Sequence, residues 1–67
     1  MKNSIKVERA RNNITQAKLA ELAQVSRQTI NAIELGKYVP SALLALRLAK
    51  IFKTKVEEIF QLEEGEY

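Results

Sequence analysis

An all-α fold of five short helices is what this 67-residue sequence predicts, and three observations carry that expectation. Apolar residues recur at three- and four-residue spacing rather than in alternation, which is the period of a helix with one buried face. Residues that start or stop helices, among them Thr15, Ser26, Gly36, Pro40-Ser41 and Thr54, fall between those apolar patterns. Hydrophobic residues make up 46% of the chain and charged ones 28%, the balance of a folded globule rather than a disordered segment.

The first helix is expected over about Ser4–Asn12, ending at Asn13, a residue that tolerates the left-handed conformation of a C-terminal cap. The second starts at Thr15, whose hydroxyl can cap the free amides of Gln16–Ala23, and carries an inward stripe of Leu19, Ala20 and Ala23. Ser26 caps the third, Arg27–Leu35, with Ile30 and Ile33 inward and Gly36 as its stop. A fourth follows Pro40-Ser41 over about Ala42–Phe52, with Leu44, Leu48, Ile51 and Phe52 as its buried stripe. The fifth, about Val56–Phe60, opens with Thr54-Lys55-Val56-Glu57, the spacing of a capping box. Beyond it Phe60-Gln61-Leu62-Glu63 alternates apolar and polar, and a small two-stranded ribbon with the tail at Met1–Asn3 completes the expected fold.

Composition narrows function before any motif does. The chain has no Cys, His or Asp, which removes disulfides, most zinc sites and nucleophile–His–carboxylate arrangements. No catalytic residues, metal ligands or cofactors are expected, and an enzyme is not. The longest apolar run, Ala42–Leu46, falls far short of the about 20 residues that span a bilayer, and the first residues lack the apolar core of an export signal. No membrane association and residence in the cytoplasm are the expectations. A single domain of residues 1–67 accounts for the length, with a core that is marginal because so short a chain buries only about 60% of its unfolded surface.

Charge is unevenly spread. Residues 1–38 hold seven bases (Lys2, Lys6, Arg9, Arg11, Lys18, Arg27 and Lys37) against three acids, whereas residues 39–67 hold four against five, and no base follows Val56. A basic front with an acidic back suits a polyanion approached from one side.

The informative stretch is residues 16–35. Two short capped helices are joined by Gln24-Val25-Ser26, a turn too tight for antiparallel packing and suited to a crossing of about 90–120°. Ala20 lets the second helix come close, and Val25 and Ile30 fill the angle. That is the pattern of a helix-turn-helix, whose second helix lies in the major groove of DNA. Opposite Ile30 and Ile33, that helix offers Arg27, Gln28, Asn31 and Thr29. A face that merely met water would favour Glu–Lys pairs. Arg instead forks onto guanine, Gln and Asn onto adenine, and the Thr methyl packs on that of thymine. Ser26 is a cap that can also donate to phosphate.

The spaced residues Thr15-Gln16, Leu19-Ala20-Glu21, Val25-Ser26-Arg27-Gln28-Thr29-Ile30, Ile33-Glu34, Gly36-Lys37-Tyr38 and Pro40-Ser41 resemble the phage-repressor or Cro-type (xenobiotic-response-element) helix-turn-helix family. With Glu57–Phe60, they are most similar to its short stand-alone bacterial and archaeal regulators, of the cytolysin-operon-repressor kind. The resemblance implies a five-helix domain that binds double-stranded DNA, acting as a homodimer on a palindromic operator. It implies phosphate contacts from Gln16, Lys37 and Tyr38, base contacts from Arg27, Gln28 and Asn31, and an ion pair of Arg9 with Glu34 that also positions Arg9 near phosphate. The chain departs from the family at Gln24, where Gly is common, and at apolar Val7, Leu22 and Leu43. Val7 and Leu22 are expected to repack between helices one and two.

A single helix-turn-helix reads too few base pairs to stand out in a genome, so a two-fold dimer is expected, with Leu43, Ile59, Phe60 and Leu62 as interface candidates. A transcriptional repressor is the leading expectation. The alternative is a protein-interaction module, such as an antitoxin or a sensor partner, that holds a regulatory protein through Leu43, Leu62 and the acidic tail Glu63-Glu64-Gly65-Glu66.

Overall fold

Hydroxyl caps and left-handed closures set almost every boundary of the structure, a computed structural model that describes all residues from Met1 to Tyr67. In chain order the elements are β1 (Lys2–Asn3), α1 (Ile5–Asn12), α2 (Gln16–Ala23), α3 (Arg27–Glu34), α4 (Ala42–Ile51), α5 (Val56–Ile59) and β2 (Phe60–Gln61). The side chains of Thr15, Ser26 and Ser41 accept the N–H groups of Lys18, Thr29 and Leu44 at 3.0, 3.1 and 3.2 Å. Each satisfies a donor that the first helical turn leaves without a partner, a contribution of about 1 kcal/mol.

The C-terminal ends of α1 to α4 share one device. Asn13, Gln24, Gly36 and Lys53 take positive φ of 55°, 61°, 76° and 55°. In each case that residue's N–H bonds a carbonyl three residues back, and the next residue's N–H bonds one five back. This is the Schellman closure, and at three of the four positions a side chain stands where glycine is the cheapest occupant. The closure at Gln24 holds the α2–α3 turn to three residues. Asn3 adds a longer tie, donating its side-chain amide to the carbonyl of Ile33 at 2.7 Å.

The expected capping box at Thr54 does not form. Lys55 is the N-cap of α5, without a side-chain bond, because Thr54 is already committed to ending α4: its N–H bonds the carbonyl of Ala49 at 3.0 Å. The ribbon does form, antiparallel, pairing Lys2 with Gln61 and Asn3 with Phe60. It is extended by the bond from Ser4 N–H to the carbonyl of Ile59 at 2.9 Å.

Twelve residues form one apolar core: Ile5 from α1, Leu19, Ala20 and Ala23 from α2, Ile30 and Ile33 from α3, Leu44, Leu48 and Ala49 from α4, then Phe52, Ile59 and Phe60. Two alanines on α2 let α3 pack closely against it. The core differs from expectation in three places. Ile51 is only half-buried and Ala49 takes its place. Val7 and Leu22 do not repack inward but remain about half exposed. Ile59 and Phe60 lie inside, since the ribbon folds the chain end back over them. No helix is long and apolar enough to cross a membrane.

At Gly36 a Cβ would meet nothing within 4 Å, so Gly36→Ala carries only the backbone cost of its φ and is expected to destabilise by about 1 kcal/mol. Lys53→Gly relieves the converse strain at an exposed position and is expected to stabilise by about 1 kcal/mol, or roughly 4–8 °C in Tm. Thermal unfolding followed by circular dichroism checks both signs.

Candidate nucleic-acid interface

The buried face of α3 decides what its other face can present. With Ile30 and Ile33 fully enclosed, the 3.6-residue period turns Arg27, Gln28 and Asn31 outward, and all three are exposed. Thr29 differs from them. It is half-buried, and its hydroxyl lies 2.9 Å from the capping oxygen of Ser26, so both hydroxyls are engaged in starting the helix. Of the four residues expected to read bases, three share the open face and the fourth belongs chiefly to the cap.

Behind that face lies a polar network that joins three helices. Arg9 of α1 meets Glu34 at the end of α3 in a two-pronged pair, Nε to Oε2 at 2.7 Å and Nη2 to Oε1 at 3.1 Å. The third arm, Nη1, bonds the carbonyl of Ile14 at 3.3 Å. The side chains are 16% and 8% exposed, so this pair is largely removed from solvent. The hydrogen bond to Glu34 raises the pKa of Arg9 above its ordinary value, against the opposing effect of burial. Gln16, first residue of α2, extends the network: its Nε2 donates to Glu34 Oε1 and to Asn31 Oδ1, both at 3.1 Å. Its Oε1 in turn accepts from Arg27 Nε at 3.4 Å. The expected Arg9–Glu34 pair is therefore present. The bonds linking it through Gln16 to Asn31 and Arg27 were not expected, because residues 15 and 18 positions apart show no relation in the sequence until α2 and α3 are set at their angle.

Two shallow clefts flank Gln16. One is lined by Arg9, Asn13, Thr15, Gln16 and Arg27 among others, and the other by Gln16, Arg27, Gln28 and Asn31. Asn13, a helix stop in the sequence, thus also borders this surface. Lys37 and Tyr38 are exposed immediately after α3. The closure at Gly36 ties Lys37 N–H to the carbonyl of Ala32 at 2.9 Å, so the backbone of this basic residue is held against the helix rather than left loose.

Among the four residues expected at a dimer interface, Leu43 and Leu62 are exposed while Ile59 and Phe60 are not, at 0% and 8%. The last two fill the chain's own core and leave no side-chain surface for a partner. Leu46, overlooked in the sequence, is as exposed as Leu43 and stands three residues on along α4. The i, i+3 spacing inside the apolar run Ala42–Leu46 was the available signal.

The chain is similar to known proteins over nearly its whole length. Residues 5–59 match the helix-turn-helix family. The uncharacterized HTH-type transcriptional regulator YgzD of Bacillus subtilis is 55% identical over 64 residues, 96% of this chain and 97% of the relative. An uncharacterized HTH-type transcriptional regulator of Methanocaldococcus jannaschii is 54% identical over 66 residues, covering 98% of this chain and all (100%) of its own. Another, from Archaeoglobus fulgidus, is 46% identical over 98% of this chain and 93% of its own.

Removing one partner of the central ion pair leaves the other charge with little water to solvate it. Arg9→Met is expected to destabilise by about 2–3 kcal/mol, and adding Glu34→Leu to recover part of that loss. Urea unfolding of the two single variants and the double variant measures the coupling.

Proposed function

This chain belongs to the helix-turn-helix family of DNA-binding transcriptional regulators, and on that premise we propose that it is a sequence-specific repressor. In this reading α3 enters the major groove of a palindromic operator and a homodimer spans the two half-sites. The observation that carries the proposal is the outward face of α3, where Arg27, Gln28 and Asn31 are exposed together opposite a buried isoleucine pair.

Each role follows from donor and acceptor chemistry. Arg27 brings a donor fork for guanine, and Gln28 both a donor and an acceptor for adenine. Asn31 adds a third contact one turn on, and the Thr29 methyl a minor apolar one. Lys37 and Tyr38 grip phosphates from the loop after α3. Arg9 has N–H groups beyond the three it spends internally, and Ser26 adds its hydroxyl at the start of α3. Gln16 has both side-chain N–H groups engaged with Asn31 and Glu34. Its phosphate contact therefore comes from its main-chain N–H at the open start of α2, where Thr15 caps only Lys18.

Dimerisation is proposed through Leu43, Leu46 and Leu62, with half-sites about 34–36 Å apart. The same exposed leucines favour a second reading, a module that docks a regulatory protein and binds DNA secondarily. Sedimentation velocity at micromolar concentration separates the two. A dimer that Leu43→Glu converts to monomer supports the first reading, and a wild-type monomer the second.

Selection from a random duplex pool at about 0.15 M salt is expected to return a palindrome with half-site centres about 10–10.5 base pairs apart. In binding titrations on that operator, Arg27→Ala or Gln28→Ala is expected to relax preference at one or two base positions, at about 1–3 kcal/mol each. Lys37→Ala should weaken all duplexes alike and lower the salt slope by about 1. Equal effects from both kinds of variant would overturn the division of roles.

A further inference from the structure

The network behind α3 engages the oxygen of the Asn31 amide and leaves its NH₂ group free, which bears on the base it meets. A carboxylate accepts and cannot donate, so the end of Gln16 that faces Glu34 must be its NH₂ group. A guanidinium donates and cannot accept, so the end of Gln16 that faces Arg27 must be its oxygen. Both constraints agree, and Gln16 is held from either side. Its second N–H then reaches Asn31, and the atom that receives it must be Oδ1. The Asn31 NH₂ group is left as the free end of its amide. Arg9 keeps the first link in place by gripping Glu34 with two bonds.

From this geometry we infer that Glu34 and Gln16 are positioning residues that make Asn31 a donor in the groove, and that Asn31 selects guanine over adenine. The inference rests on the DNA-reading role proposed above for α3. Guanine offers two acceptors, O6 and N7, to the two N–H groups of Asn31. Adenine offers one acceptor and one donor, and it is matched by an amide only when oxygen and nitrogen both face the base edge. Here the bond from Gln16 turns that oxygen toward the start of α2 and takes up one of its two lone pairs. The fork onto adenine that an unrestrained asparagine makes is thereby disfavoured, although neither Glu34 nor Gln16 touches a base.

The experiment is selection from random duplexes followed by titration, with the wild-type chain, Asn31→Ala, Gln16→Leu, Gln16→Met and Glu34→Gln. The base position whose preference disappears in Asn31→Ala identifies the contact. At that position the wild type is expected to favour guanine over adenine by about tenfold. Gln16→Leu and Gln16→Met free the Asn31 oxygen and are expected to move the preference toward adenine. Glu34→Gln, which can turn either end of its own amide to Gln16, should admit both bases. Thermal melting shows that each variant is folded, and the methionine variant serves if the leucine one is not. A structural role alone would weaken all duplexes without changing which base is preferred. Adenine preferred by the wild type, an unchanged guanine preference in both Gln16 variants, or no position altered by Asn31→Ala would overturn the inference. Enrichment of a sequence motif by the wild type with one of those results would leave the DNA-reading role standing, whereas no enrichment of any duplex would overturn both.

Discussion

The carboxylate of Glu34 is the point on which the polar architecture turns. It sits at the end of α3, nearly closed to solvent, and collects donors from Arg9 on α1 and Gln16 on α2. A charge in that position is tolerated only when it is paired and fully hydrogen-bonded. The pair therefore does more than attract two helices. It specifies which donors stand beside α3, and through Gln16 it reaches two side chains, Asn31 and Arg27, on the opposite, exposed surface. Stability of the helix arrangement and orientation of the surface groups rest on one set of bonds.

A domain with only a dozen core residues has little apolar burial to spend on imprecise junctions. The repeated closure at the ends of α1 to α4 answers this by satisfying terminal carbonyls and reversing the chain within three residues or so. Asn13, Gln24 and Lys53 bear a conformational cost that glycine would avoid. In exchange the unfolded chain is less flexible than a glycine would make it, and side chains remain at the turns. At Gly36 the closure also sets the backbone of the basic loop that follows α3, so a stop signal and a surface feature share one residue.

The terminal ribbon redistributes apolar surface. By pairing Lys2–Asn3 with Phe60–Gln61 it draws Ile59 and Phe60 into the core, and it leaves Leu62 beyond the last pair. On α4 two side chains one turn apart, Leu43 and Leu46, are each 61% exposed. Single exposed leucines are ordinary on a protein surface, but a pair on one helix face offers a partner a ridge to pack against.

Helix number, the hydroxyl caps at Thr15, Ser26 and Ser41, the helix stops at Asn13 and Gly36, and the outward set Arg27, Gln28 and Asn31 are all legible in the sequence. They depend on interactions within four or five residues, where spacing and geometry are the same thing. Thr54 shows the limit of that rule. Its local pattern is a valid start for α5, yet the end of α4 claims its backbone first, and two overlapping local signals cannot be ranked without the chain path. Whether Ile51 or Ala49, Ile59 or Leu62, Val7 or Ile5 lies inside depended on which surfaces the ribbon and the crossing helices cover. The bonds from Glu34 through Gln16 to Asn31 depended on the same thing. The sequence by itself determined the elements and the chemistry available on α3. The tertiary structure alone decided which distant side chains meet, because convergence across 15 to 25 residues is set by the angle at which short helices cross and not by any spacing along the chain.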